Sequence, residues 1–252
     1  MKLKDKVYII TGATSGMGKA IAILFAEEGG KLLLSGRNKE RGEALLQELK
    51  SINAEAVFHA GDISEPEVNE QLVTRAIATY GKLNGVVTNA GVLGIGSITE
   101  MTIAAWHQTL NINFNAFFYL CKYAIPYIKT QKGTIISNAS IAAFKSFPNH
   151  PIYCASKAAL VALVKQMALD YGPEIRINAI CPGPVDTPLI WDSAKAFEDP
   201  DAAVANVENA TPLKRLGQPN DIAKLALFLA SDDASWMTGS AVTIDGGIMV
   251  TN

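Results

Sequence analysis

Tyr153 and Lys157 stand four residues apart in the apolar run YCASKAALVALVKQMALDYG. On a helix that spacing puts both side chains on one face. An ammonium beside a phenol stabilises the phenolate and lowers its pKa from about 10 toward neutrality, as a general acid/base for alcohol and ketone chemistry requires. Taken alone, the pair is equally an ordinary amphipathic helix pair. Ser140 ends the strand-like run TIISNAS thirteen residues upstream of Tyr153. Its hydroxyl can donate to an oxygen on which negative charge develops. Ser137 lies mid-strand, and Ser156 is expected to point away from the Tyr153/Lys157 face.

A second chemistry lies near the N-terminus. The apolar run 7–11 passes directly into TGATSGMG, with Gly12, Gly16 and Gly18 ahead of the helical stretch AIAILFAEEGG. Strand, glycine turn and helix together make a pyrophosphate site, because glycines allow close backbone approach and the helix N-terminus offers unpaired N–H donors. Specificity is set where the second strand ends, at Ser35, Gly36, Arg37 and Asn38. An acid there would bond a ribose 2′-OH and repel a 2′-phosphate, whereas a guanidinium clamps the phosphate. Arg37 therefore favours NADP(H) over NAD(H); the plainer reading is a solvated helix-start residue, and Ser15 is not the basic residue that NADP sites often add.

Seven apolar runs of strand length, 7–11, 31–36, 54–60, 85–90, 134–140, 176–181 and 241–245, alternate with longer amphipathic segments. Runs apolar throughout imply strands buried on both faces, hence an α/β fold with a doubly wound, seven-stranded parallel sheet and helices on both faces. The chain reads as a single domain, 1–252: a mainly cofactor-binding half (1–90), a catalytic half (91–181) and a proline-rich substrate-loop region (182–218) whose short mobile helices can cover a ligand.

Composition bounds the alternatives. The 252 residues are 49% hydrophobic and 18% charged, with a net charge of −2. No basic footprint for nucleic acid or an anionic membrane follows from that balance. No stretch reaches the length of apolar residues expected of a membrane span. Cys121, Cys154 and Cys181 form neither a disulfide framework nor a zinc pattern, and His59, His107 and His150 are dispersed, so no metal is expected and a reducing, cytoplasmic location is. His150 reads as a solvated loop residue, with a substrate-facing position as the alternative.

TGxxxGxG, the Ser140-to-Tyr153 interval, YxxxK and DGG at 245–247 occur in an order that resembles the classical short-chain dehydrogenases/reductases, from Val7 to Gly247. The resemblance implies a Rossmann-like fold and direct hydride transfer on the pro-S face of nicotinamide C4. It implies a catalytic set of Asn113, Ser140, Tyr153 and Lys157, with Asn113 holding a water that links Lys157 to solvent; Asn111 and Asn115 are near decoys. Cofactor contacts are implied at Gly12, Thr14, Ser15, Gly16, Met17, Gly18, Arg37 and Asn38. Asp62 would bond the adenine amine with Ile63 packed nearby, or cap a helix before Ser64 and Glu65. Asn89, Ala90 and Gly91 match an NNAG motif whose first Asn is Thr88 here. Tyr153 and Lys157 would reach the nicotinamide ribose, Val185 and Thr187 its carboxamide, and Pro182 and Gly183 are further implied cofactor contacts. Leu93, Ile95, Ile141, Phe147, Leu189, Ile190 and Trp191 suggest an apolar pocket for a small alcohol or ketone. Enoyl reductases space Tyr and Lys more widely. The other readings are an NAD(H)-dependent alcohol or hydroxysteroid dehydrogenase, a 3-ketoacyl reductase, and a non-catalytic NADP(H)-binding regulator. A homotetramer is implied, with the helix after Trp106 and the helix of Tyr153 packed on partners.

Overall fold

In a computed structural model describing residues 1–251, the seven apolar runs become seven parallel strands in the spatial order β3-β2-β1-β4-β5-β6-β7. They are β1 Val7–Thr11, β2 Lys31–Gly36, β3 Ala56–Ala60, β4 Gly85–Thr88, β5 Thr134–Asn138, β6 Arg176–Pro182 and β7 Ala241–Ile244. The helices are α1 Gly16–Glu27, α2 Lys39–Ser51, α3 Pro66–Tyr80, α4 Ile103–Leu110, α5 Ala116–Thr130, α6 Pro151–Tyr171, α7 Pro188–Ala194, α8 Pro200–Ala210 and α9 Pro219–Ala230.

Because side chains alternate across a strand, each strand feeds two cores. Val7, Ile9, Leu33, Val86, Ile135 and Ile177 pack under α3, α5 and α6. Their neighbours Tyr8, Ile10, Leu32, Leu34, Val87, Ile136 and Ile180 pack under α1, α2 and α9. That is the doubly wound arrangement expected from runs with no polar face. The direction of winding reverses between β1 and β4, which opens a crevice at their C-terminal ends.

The strands stop where the chemistry-bearing residues begin. The run 85–90 leaves the ladder after Thr88, because Asn89 and Ala90 turn their N–H groups to Thr11 Oγ1 at 3.1 and 3.4 Å. The run 134–140 stops at Asn138, and Ser140 caps a short 3₁₀ turn, Ile141–Ala143. At 54–60 the strand starts later, at Ala56, because the Ala54 N–H closes the end of α2 on Leu49 O. Between α4 and α5 one π turn, Asn111–Asn115, carries Asn113 inward.

One expectation is corrected. α6 is, by length and composition, apolar enough to cross a membrane. Its apolarity has a different physical source: it lies on β6 as a core helix, burying Leu160, Val161, Val164 and Met167.

Gly133, just before β5, tests how tightly the sheet is set against its connections. A Cβ there would sit 2.0 Å from the Asn84 carbonyl oxygen and 2.8 Å from Ile128 Cγ2. Gly133→Ala should destabilise the protein by about 2 kcal/mol and lower Tm by roughly 4–8 °C; an unchanged melting curve would refute the packing.

Candidate active site

The nucleotide loop is built by the absence of side chains. A Cβ on Gly18 would lie 2.2 Å from Gly12 O and 2.5 Å from Asn89 Nδ2, and one on Gly12 would lie 2.8 Å from Ala90 Cα. α1 can start against the turn after β4 only with both glycines in place. Gly16 adopts φ +51°, and the extended Ser15 leaves the first turn of α1 without a side-chain cap. The helix N-terminus therefore presents its N–H groups to the crevice.

A cavity of about 660 Å³ follows the C-terminal edge of the sheet. Of the residues expected at a cofactor, Gly12, Thr14, Ser15, Gly16 and Met17 line it from the loop, and Arg37 and Asn38 from the end of β2. Asp62, Ile63, Asn89, Ala90 and Gly91 line it beyond β3 and β4, and Tyr153, Lys157 and Thr187 from the other side. Gly18 lies beneath the loop. Besides Gly18, three expected contacts fall outside the lining. Pro182 ends β6 against Ile244, Gly183 is pinned by its N–H to Ile244 O at 3.0 Å, and Val185 is buried and bridged to Gly217. The segment reaches the cavity only from Thr187, which sits 3.1 Å from where a Gly16 Cβ would be.

Around the end of β2 the sequence reading missed Arg41, which lines the cavity with Arg37. Its position four residues after Arg37 was the available signal. Among the described residues neither guanidinium is in an ion pair, although Lys39, between them, pairs with Glu43. Asn38 is spent locally, accepting the Arg41 N–H at 2.8 Å as the N-cap of α2. An acid at position 36 would require Thr14 to move, since a Cβ there would stand 2.9 Å from Thr14 Cγ2. Asp62 does not cap α3, whose N-cap is Glu65. Its Oδ1 accepts the Ser64 N–H and O–H at 2.9 and 2.8 Å, and Oδ2 makes no hydrogen bond among the described residues.

Tyr153 and Lys157 lie one turn apart on α6, as expected, but not in direct contact. Lys157 Nζ is 5.6 Å from the centre of the Tyr153 ring and donates instead to Asn138 O at 2.8 Å. Burial pushes the Lys157 pKa down to about 8. Burial likewise raises the Tyr153 phenol, with the adjacent Ser140 hydroxyl pulling the other way. In the free protein the expected lowering of the phenol by its lysine is not seen, because burial is the largest influence on both groups.

Ser140 is nearly buried and accepts the Ala142 N–H at 3.0 Å, which leaves its own proton free to donate. Ser137 is buried mid-strand, and Ser156 donates to Tyr153 O at 2.8 Å, inside the helix. Asn113 pairs with Val92, accepting its N–H at 2.9 Å and donating to its carbonyl at 2.8 Å, and donates to Ser156 Oγ at 3.1 Å. Its side chain is thereby spent. A second cavity of about 10 Å³, the scale of one water, lies among Asn113, Asn138 and Lys157.

Two residues were misread or missed. His150 is buried, not a solvated loop residue: its ring packs edge-on to Tyr153 at 6.2 Å, and Nε2 meets Ser193 Oγ at 2.9 Å. Asn138 joins both ends of the site. Asn89 Nδ2 donates to Gly12 O, Asn138 Nδ2 to Asn89 Oδ1, and Lys157 Nζ to Asn138 O, at 3.2, 2.8 and 2.8 Å. Of the apolar pocket residues, Leu93, Ile95 and Leu189 line the cavity. Ile141 is buried, Ile190 packs on Ala194, Phe147 stacks on His150, and Trp191 bonds Asp186.

The family profile described as enoyl-(acyl carrier protein) reductase matches residues 12–249. An uncharacterized oxidoreductase of Thermotoga maritima is 38% identical over 249 residues, 98% of each chain. The chain belongs to the classical short-chain dehydrogenase/reductase family. Another relative, a cyclohexanol dehydrogenase of Acinetobacter sp. strain SE19, is 37% identical over 248 residues, 97% of this chain and 95% of its own. The crystal structure of a levodione reductase superposes with a TM-score of 0.95 at 32% identity, covering 99% of this chain and all of the other. Short-chain dehydrogenases/reductases are oxidoreductases that use NAD(P), and this cavity fits such a nucleotide: glycines where a Cβ would clash, an uncapped helix end, and two unpaired guanidiniums.

Buried Lys157 gives a stability test with a definite sign. Its folded pKa, about 8, lies below the free-lysine value of 10.5, so the ammonium destabilises the fold. That cost is full below about pH 8, shrinks as pH rises from there, and is gone above 10.5. Unliganded Lys157→Met should therefore melt higher than the parent at neutral pH, less about 1 kcal/mol for the lost bond to Asn138. The gap should narrow as pH rises from about 8; parallel curves would refute the depressed lysine.

Proposed function

We propose that this chain is an NADP(H)-dependent oxidoreductase that interconverts a carbonyl and a secondary alcohol on a small, largely apolar molecule. The observation carrying this reading is one cavity lined by Arg37 and Arg41 on one side and by Tyr153 and Lys157 on the other. Bound there, the nicotinamide supplies or accepts the hydride at C4. Tyr153 Oη–H donates to the substrate oxygen as charge develops on it, and Ser140 O–H is the second donor. Lys157 has three N–H donors, of which Asn138 O takes one. The others serve the ribose hydroxyls and offset the charge left on the phenol. A water in the small cavity beside Asn113 would return the proton.

Leu93, Ile95 and Leu189 make the substrate end of the cavity apolar, in keeping with relatives named for cyclohexanol and levodione. A homotetramer belongs to the same proposal: Phe118 on α5 and Leu169 on α6 are apolar, 49% and 79% exposed, and suited to partner faces. So does a reducing, cytoplasmic location, with which three free cysteines agree.

Two measurements test the reading. Tyr153→Phe should lower kcat for reduction of a ketone such as cyclohexanone by about 10²- to 10⁴-fold, followed by absorbance of the reduced nicotinamide; undiminished turnover removes Tyr153 from the chemistry. Arg37→Ala and Arg41→Ala should each weaken NADPH binding about tenfold or more, with NADH changed by less than about twofold. Equal losses for both nucleotides in a fluorescence titration would refute the 2′-phosphate assignment.

A further inference from the structure

α7 and α8 rest on each other through Ala194, Val204, Leu216 and Ile190, a small cluster separate from both sheet cores. Among the described residues, a single hydrogen bond joins the segment 188–210 to anything outside 182–218, that between Ser193 and His150. On the α7 side, Leu189 lines the cavity and Ser193 follows it by one helical turn, on the same face. The position of Ser193 therefore sets how far Leu189 reaches over the cavity.

On the other side of the bond, His150 precedes α6 and is 4% exposed. Its Nδ1 lies 2.5 Å from Pro148 O, and a carbonyl only accepts, so Nδ1 carries the proton. In the neutral ring Nε2 is then bare, and Ser193 donates to it at 2.9 Å. Protonation would reverse the direction of that bond without breaking it. The ring is fixed edge-on between Phe147 and Tyr153, with centroids 6.5 and 6.2 Å away.

We propose that His150 is a positioning residue, a latch whose bond to Ser193 holds α7 over the cavity and ties the placement of that cover to the Tyr153 ring. The latch fixes the apolar wall that a substrate meets. This rests on the oxidoreductase reading only for its effect on turnover, not for its effect on α7.

The test uses Ser193→Ala, which removes the bond from the cover's side. His150→Phe, its counterpart, keeps an edge-on ring beside Tyr153 but loses Nε2. Amide hydrogen exchange of the unliganded protein should quicken about tenfold across 188–210 in each variant, the scale of one net hydrogen bond, with β5 and β6 unchanged. The double variant should exchange no faster than the single ones. With cyclohexanone, KM should rise about tenfold while kcat falls less. Unchanged exchange at 188–210 in Ser193→Ala, or a double variant whose effect is the product of the two singles, overturns the latch. Faster exchange in a protein whose parent turns over no ketone leaves the latch standing and sinks the reaction assigned above.

Discussion

The site depends on one buried charge. Lys157 reaches from α6 to the end of β5, and a buried ammonium needs an acceptor close at hand. Asn138 provides it because β4 leaves the ladder after Thr88: the Ala90 N–H, which would otherwise take that carbonyl, turns to Thr11 Oγ1. The rest of α6 has to offset the burial with apolar surface, and so the helix that carries Tyr153 and Lys157 has the composition of a membrane span. Burial also explains why the lysine pKa is pushed down and the phenol pKa up, each toward its neutral form, before anything binds.

From Asn138 the constraint runs on to the nucleotide loop. The Gly12 carbonyl can only accept, so Asn89 must present Nδ2 to it and Oδ1 to Asn138, which must donate in turn. Side-chain orientations are thereby fixed from Gly12 to the Asn138 amide, and the backbone carbonyl of the same residue holds Lys157. The loop that would hold a pyrophosphate and the lysine beside the acid/base are parts of one hydrogen-bonded unit. Gly18 belongs to it too, since a side chain there would strike both Gly12 O and Asn89 Nδ2.

Much of this was legible in the sequence because it rests on local rules. Short runs apolar throughout marked the strands, glycine spacing marked the loop, and a spacing of four placed Tyr153 and Lys157 on one face. What was not legible depends on where strands end. Asn138 looks like any polar residue at the end of a strand until its position beside Asn89 is known. Arg41 faces the cavity only because α2 starts at Lys39, capped by Asn38. His150, in a Pro-Asn-His stretch, has the composition of a solvated turn and is buried because α7 folds over it. Pro182, Gly183 and Val185 stand back from the cavity wall, paired with β7 and Gly217.

That division follows how the energy is distributed. The sheet and its six flanking helices are over-determined by two large cores, so the parts common to hydride-transfer chemistry are rigid and readable. The cover made of α7 and α8 has a core of a few side chains. A segment with so little buried apolar surface opens at low cost, and its position is set by single polar contacts rather than by packing. Residues in such a segment are free to vary without disturbing the acid/base machinery. Leu189 lines the cavity from that segment, so its placement follows those contacts, while the sheet beneath holds Tyr153 and Lys157 independently of it.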